Sequence, residues 1–324
     1  MDKEPALATS FDELKKKNES HYMAAARKRL ALTAVLIFLV IPALIALTVF
    51  LGSRRLYMPL SLLILVMIMA PFFMIFERRK PRAREVVLIA MMSALTVASH
   101  TFFHIAFPVQ IGTAMVIISG ISLGPEAGFL IGAMSRFVCN FYMGQGAWTP
   151  WQMFCWGLLG FLAGLAFNRE LSEDGGISNF KKILTPLLCV IFSELVAYIS
   201  FLLWQGSDET FFGWRVYLFG IIGLLLAVVF QRGKLKTDNF TMAVFTFVVT
   251  FVIYGGIMNF AAMCLSMNEP GSLGIGIKAL KALYVSGVGY DFYHALTAAV
   301  CVFVIGTPMV KKLERIKIKY GIYK

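Results

Sequence analysis

Charged residues make up only 15% of this 324-residue chain and hydrophobic ones 59%, with a mean hydropathy of +0.76. A soluble domain carries about 25% charged residues, so the composition excludes that class and indicates a membrane protein. The net charge of +12 raises nucleic acid as a partner, but the basic residues sit on alternate loops between apolar stretches, which disfavours it.

Residues 1–30 read as a cytoplasmic tail. Apolar stretches follow at 31–51, 57–76, 86–104, 107–123, 126–142, 151–168, 183–204, 214–231, 240–267 and 287–309. Most reach the length that a hydrocarbon core requires, about 17 to 25 residues, which predicts an all-α polytopic membrane helical bundle of about ten transmembrane helices. With the N-terminus inside, the inside segments hold Lys15, Lys16 and Lys17, the cluster from Arg78 to Arg84, Lys181 and Lys182, Lys234 and Lys236, and the basic residues from Lys311 onward. The outside loops keep Arg54, Arg55, Arg215, Lys278 and Lys281. This bias predicts a multi-pass protein of the plasma membrane with both termini cytoplasmic. The first stretch follows a long polar lead and precedes Arg54 and Arg55, so it reads as a span and not as a cleavable signal. The five cysteines fall within expected spans without a CxxC pair and read as packing residues.

The basic cluster Glu77 to Arg84 is the expected boundary. It separates the tail (1–30) and an N-terminal two-helix hairpin (31–84) from a membrane core over 85–324. Within the core, Trp151 to Arg169 aligns without gaps on Trp214 to Arg232, with Gly157 on Gly220 and Gly160 on Gly223. Two similar helices in one orientation suggest a duplicated hairpin.

The helix after the basic cluster carries Ala90, Ala94 and Ala98. Small residues four apart let another helix approach closely, either from this chain or from another subunit. His100 and His104 lie one turn apart on a face of the same helix. Such a pair can hold a metal or ligand group, or can bond loop carbonyls at the interface. Further on, Gly124 and Pro125 mark a tight turn, Glu126 reads as a capping acid, and Gly128 and Gly132 stand one helical turn apart. Arg136 is the sole basic residue inside a span, with Asn140 one turn beyond. A guanidinium there is a functional candidate by default, either contacting a ligand or paired with Glu194 or Asp291.

The connection from Gly144 to Trp148 is the most specific local signal. Thr149 can cap the following helix, Pro150 suits its start, and Gln152 completes a capping box. The positive end of that helix then faces whatever occupies the site, and Gly144 and Gly146 leave room for a ligand. Trp148 and Trp151 fit an interfacial aromatic belt. Trp156 lies more than a turn deeper and favours a pocket wall. In the ninth stretch Gly255 and Gly256 predict a bend, beyond which Asn259 offers its amide to a ligand or across helices. The last connection, 268–286, is Gly-rich. Asp291 and His294 then share a face of the last helix, to bind ligand or to tie it to its neighbours. No Walker A, HExxH, GxSxG or EF-hand pattern occurs, so neither ATP hydrolysis nor any other enzyme activity is expected, and no cofactor.

Taken in order, the AxxxA row, the Gly-Pro-x-x-Gly turn of 124–128, the stretch 144–153, the Tyr-Gly-Gly-Ile-Met-Asn of 254–259 and the Asp291-x-x-His-Ala ending resemble the substrate-binding S components of energy-coupling-factor (ECF) vitamin transporters. The likeness covers most of 85–170 and 240–324. It implies a six-helix core that captures a vitamin-like solute at the outer face, with a transmembrane coupling subunit and two cytoplasmic ATPases as partners. It also implies that Ala90, Ala94 and Ala98 contact the coupling subunit. Gln145, Trp148 and Asn259 become site residues on the same ground, beside His100, His104, Arg136, Asn140, Gln152, Trp156 and Asp291.

The hairpin 31–76 and the pair 183–231 exceed the six helices of the family. Nickel and cobalt versions carry a histidine next to the initiating Met, which Met1-Asp2-Lys3 lacks, so a metal cargo is disfavoured. The Trp-bearing lid resembles the corrinoid-type branch, and an aromatic wall suits a large planar ligand, so cobalamin is the first ligand expected. One alternative is a self-sufficient proton-coupled secondary transporter using Arg136, Glu194 and Asp291. The other is a membrane enzyme using His100, His104, Asp291 and His294.

Overall fold

The computed structural model describes residues 62–63, 65–67, 69–70, 73–74, 83–106, 109–167, 179–206, 208, 210–230, 235–266 and 276–322, and not the side chains of 104–106, 179–185 and 277. All belong to the unit that spans 57–324. The expected tail, the span 31–51 and most of the hairpin 31–84 lie outside the described residues.

Every regular element among the described residues is helical. The helices are α1 (Ala83–Ala106), α2 (Ile111–Leu123), α3 (Pro125–Met143), α4 (Thr149–Phe167), α5 (Asn179–Leu203), α6 (Trp214–Phe230), α7 (Asn239–Val249), α8 (Gly256–Leu265) and α9 (Ile277–Lys319), with a π-helical turn over Thr250–Gly255 joining α7 to α8. The helices α1, α4, α5 and α9, and the continuous run from α7 to α8, are long and apolar enough to cross a membrane. The chain is an all-α polytopic membrane bundle.

Apolar burial supplies little drive between helices inside lipid, so close packing has to hold them. Glycines provide it here. A Cβ on Gly128 would stand 2.5 Å from the carbonyl oxygen of Gly160 and 2.7 Å from the Cα of Gly120, so α2, α3 and α4 meet backbone to backbone. One turn along α3, a Cβ on Gly132 would stand 2.7 Å from the backbone nitrogen of Gly157. The link between α2 and α3 is Gly124 alone, at φ 96°, followed by Pro125 at the start of α3. A positive φ suits glycine, and a proline at a helix start forfeits no hydrogen bond.

α2 has 13 residues, shorter than the expected 107–123, and its residues from Gly112 to Ser122 are buried. It packs against α1, α3, α4 and α9. A helix apolar on all sides belongs inside the bundle, where neighbours shield it from lipid. α9 runs the other way in size, with 43 residues and a length of about 64 Å at the usual helical rise. It starts at Ile277, inside the connection expected to be a loop to 286. The reason is local: the glycines of that connection end at Gly276, and Ile277 to Ser286 contains neither Gly nor Pro.

The bend expected at Gly255 and Gly256 takes the form of the π turn. Both glycines keep right-handed helical angles, φ −58° and −57°, so the axis widens instead of breaking. A Cβ on Gly255 would stand 2.7 Å from the Asp291 carboxyl carbon and 3.0 Å from the Tyr217 ring. The glycine is there for close approach by those two side chains.

Candidate functional site

Because α3 and α4 touch along their glycines, the polar residues on their facing edges converge with α1. Arg136 Nε donates to Gln152 Oε1 at 3.0 Å, and Arg136 Nη1 lies 3.2 Å from His100 Nε2. A guanidinium only donates, so His100 Nε2 accepts and its proton sits on Nδ1. The Arg136 charge lies 5.1 Å above the Trp156 ring, and the Trp156 and His100 rings meet edge to face at 4.9 Å. Asn140 Nδ2 donates to Gln152 Oε1 at 2.9 Å and to Thr149 Oγ1 at 3.1 Å. The structure thus brings together five of the sequence candidates, His100, Arg136, Asn140, Gln152 and Trp156. His104 lies on α1 with its side chain outside the described residues.

Two expectations need correction here. Among the described residues no carboxylate forms an ion pair with Arg136: Glu194 stands beside Gly220 of α6, and Asp291 is taken by other donors. Gln152 also makes no capping box. Its side-chain oxygen serves Arg136 and Asn140, while its backbone N–H bonds to Trp148 O at 3.0 Å. Buried donors that lose their acceptor cost more than a helix-end N–H that can find water or backbone.

The connection from Gly144 to Trp148 is tied down by its own polar groups. Gln145 Nε2 donates to Phe137 O at 3.2 Å, Thr149 Oγ1 donates to Gln145 Oε1 at 2.9 Å, and Gly146 N donates to Thr149 Oγ1 at 3.1 Å. Gly144 has φ 99°. Gln145 therefore braces the connection, and Trp148 is exposed, with its ring against Gly146. Trp151 is buried among Phe129, Ala133 and Ala261 rather than in an interfacial belt.

Asn259 and Asp291 form a second cluster. Tyr217 Oη donates to Asp291 Oδ2 at 2.5 Å, and Asn259 Nδ2 donates to the same oxygen at 2.7 Å. His294 Nε2 and Thr113 Oγ1 share a hydrogen bond of 2.9 Å, and His294 packs on Tyr254 at 4.4 Å. Asp291 and His294 thus tie α9 to α6, α8 and α2. Gly112 connects the clusters, since a Cβ there would lie 2.6 Å from Trp156 and 2.8 Å from His100, next to Thr113. Among the described residues no group of three His, Cys, Asp or Glu side chains converges as a metal site would need.

Sequence reasoning missed Tyr217 and Thr113. A signal for Tyr217 exists in the internal repeat, where it aligns with Phe154: the added hydroxyl is what reaches Asp291. Thr113 sits in an apolar run and gives no such sign.

At the helix ends that α5, α6 and α9 share, Asp208 joins Arg215 at 3.1 Å and Lys281 at 2.5 Å and accepts from Trp214 Nε1 at 3.0 Å. Burial opposes the charge on Asp208, but the hydrogen bonds from Lys281, Trp214 and Arg215 outweigh it and hold the carboxyl below its usual range. Arg215 also donates to Ser200 Oγ and to Trp204 O.

Another face of α1 is different in kind. Ala90, Ala94 and Ala98 are exposed. They line a groove of about 950 Å³ with Met134, Val138 and Tyr142 of α3.

Residues 80–206, which contain α1 to α5 whole, match the family described as "ECF-type riboflavin transporter, S component". No solved structure matches the chain.

Proposed function

We propose that this chain is a substrate-binding S component of the energy-coupling-factor (ECF) type, the family whose model matches residues 80–206, and that it captures a vitamin-type cofactor precursor at the outer face of the plasma membrane and delivers it with a transmembrane coupling subunit and two ATPases. The observation that carries this reading is the two-faced character of α1. One face turns His100 into the cluster of Arg136, Gln152, Asn140 and Trp156, and the other leaves the alanine row bare along an open groove. A polar cluster inside an apolar bundle is costly unless it serves a ligand or a fixed network. A bare row of small residues supports close docking of another membrane helix.

The ligand of first choice is a flavin. The matching family is named for riboflavin, and a flat heteroaromatic ring suits the Trp156 wall. It takes precedence over the corrinoid suggested by the Trp-bearing connection, because Trp148 stands exposed. The cluster end of the bundle, with the 144–148 connection, is the outer one in this reading, and both termini are cytoplasmic. The chain is a carrier subunit and not an enzyme.

The test is purification followed by mass spectrometry of co-purifying small molecules, and uptake in liposomes with and without the coupling and ATPase subunits. Ala94→Leu keeps ligand binding and abolishes ATP-driven uptake. Uptake by the chain alone on a proton gradient overturns the reading in favour of a secondary carrier.

A further inference from the structure

Arg136 is held on one side only. Its Nε and Nη1 are engaged by Gln152 and His100, and Met143 Sδ lies 3.8 Å from Nη1. Nη2 makes no hydrogen bond to any described residue, and the side chain is partly buried. The groups that grip it are neutral, so a full positive charge stands inside a span with no described carboxylate against it. Leaving such a charge uncompensated is unfavourable. In the same cluster two buried polar atoms, Asn140 Oδ1 and Trp156 Nε1, have no hydrogen-bond partner among the described residues, and each side chain is 1% exposed. A network built for its own stability would satisfy these atoms internally.

We infer that Arg136 reads an anionic substituent on the transported molecule, a carboxylate or a phosphate monoester, through Nη2 and Nη1. Gln152 fixes the plane of the guanidinium through Nε, and Trp156 supports its face. Asn140 shares the Gln152 acceptor with Arg136, and Trp156 lies under the guanidinium, so both belong to the same cluster. The inference rests on the reading of the chain as a solute-capturing subunit and adds to it that the preferred solute carries negative charge.

The experiment titrates the purified full chain in detergent with riboflavin, riboflavin 5′-phosphate and a carboxymethyl flavin, alongside Arg136→Gln and Arg136→Lys. Charged hydrogen bonds of this type separate ligands by roughly ten- to a hundredfold, and that is the preference expected of the wild type for one of the anionic flavins over riboflavin. Which of the two wins tells phosphate from carboxylate. Arg136→Gln brings the ratio to about one, and Arg136→Lys retains part of it. A wild type that binds riboflavin as well as either anion overturns the inference and leaves the solute-capturing function standing. If no flavin binds, the charge of the co-purified molecule decides: an anion supports the inference, and a molecule neutral at pH 7 overturns it. Absence of any bound solute, with no uptake in the reconstituted complex, overturns both. The wild-type ratio does not depend on the variants folding.

Discussion

Gly128 and Gly160 meet with no side chain between them, and their backbones hold α3 against α4 beneath the polar cluster. The contact sets the spacing at which Arg136 reaches Gln152 and Asn140 reaches Thr149. Gly128→Ala forces the helices apart or bends one of them, and overpacking of this kind costs about 1 to 3 kcal/mol. The expected outcome is a lower unfolding temperature in detergent and weaker solute binding together. Unchanged thermal stability would show that α3 and α4 tolerate the added methyl and that the contact is incidental.

Gln152 is the shared acceptor of two side chains, Arg136 and Asn140. Gln152→Leu keeps the volume of the side chain near constant and leaves both donors without their acceptor, a loss of about 1 to 3 kcal/mol for buried polar groups. Solute affinity should fall by roughly tenfold or more in the same range. Gln152→Glu restores the acceptor and adds a charge that pairs with Arg136, so it recovers stability while suppressing binding of any anionic solute. Calorimetric titration of the two variants separates these effects, and equal binding by both would count against the role of Gln152.

Asp208 gives a dependence on pH. Its carboxyl is held below the usual range in the fold by Lys281, Trp214 and Arg215, against about 3.9 in an unfolded chain. The carboxylate therefore contributes stability that is present above about pH 3.9 and is lost as the pH falls through its lower folded value. Unfolding temperatures of the wild type and Asp208→Asn should differ by a constant amount from pH 7 to about pH 5 and converge below about pH 4. A gap that persists to pH 3 would mean that the network does not depend on the charge.

The parts of the molecule legible in the sequence are those set by local rules. Hydropathy located α1, α3, α4, α5 and α6, and the Gly-Pro pair placed the turn at 124. The glycines one helical turn apart on α3 are visible in the sequence, but which α4 glycines they pack against is not identified by it. What depends on the third dimension was not legible. Glu194 and Asp291 are acids inside expected spans and so candidates to pair with Arg136, but the α3–α4 contact brings the neutral Gln152 to it instead, and α6 supplies Tyr217 to Asp291. The motif at Thr149 and Gln152 had the composition of a capping box. Competition from two buried donors redirected the glutamine, which no local pattern encodes. The helical start of α9 at Ile277 was hidden by the glycines just before it.

The π turn and Asp291 make the last case. Gly255 has no room for a Cβ because the Asp291 carboxyl and the Tyr217 ring occupy that space. Gly255→Ala alone must displace Asp291 and break its bonds to Tyr217 and Asn259, so it is strongly destabilising. Asp291→Ala alone removes those bonds but opens a space beside Gly255. The double variant places the new methyl in the space so created, so its cost is smaller than the sum of the two by about 1 to 3 kcal/mol, the coupling expected of side chains in contact. A double-mutant cycle on the unfolding free energy measures this. Strict additivity would mean that Gly255 is required for the π turn itself and not for the approach of the carboxylate.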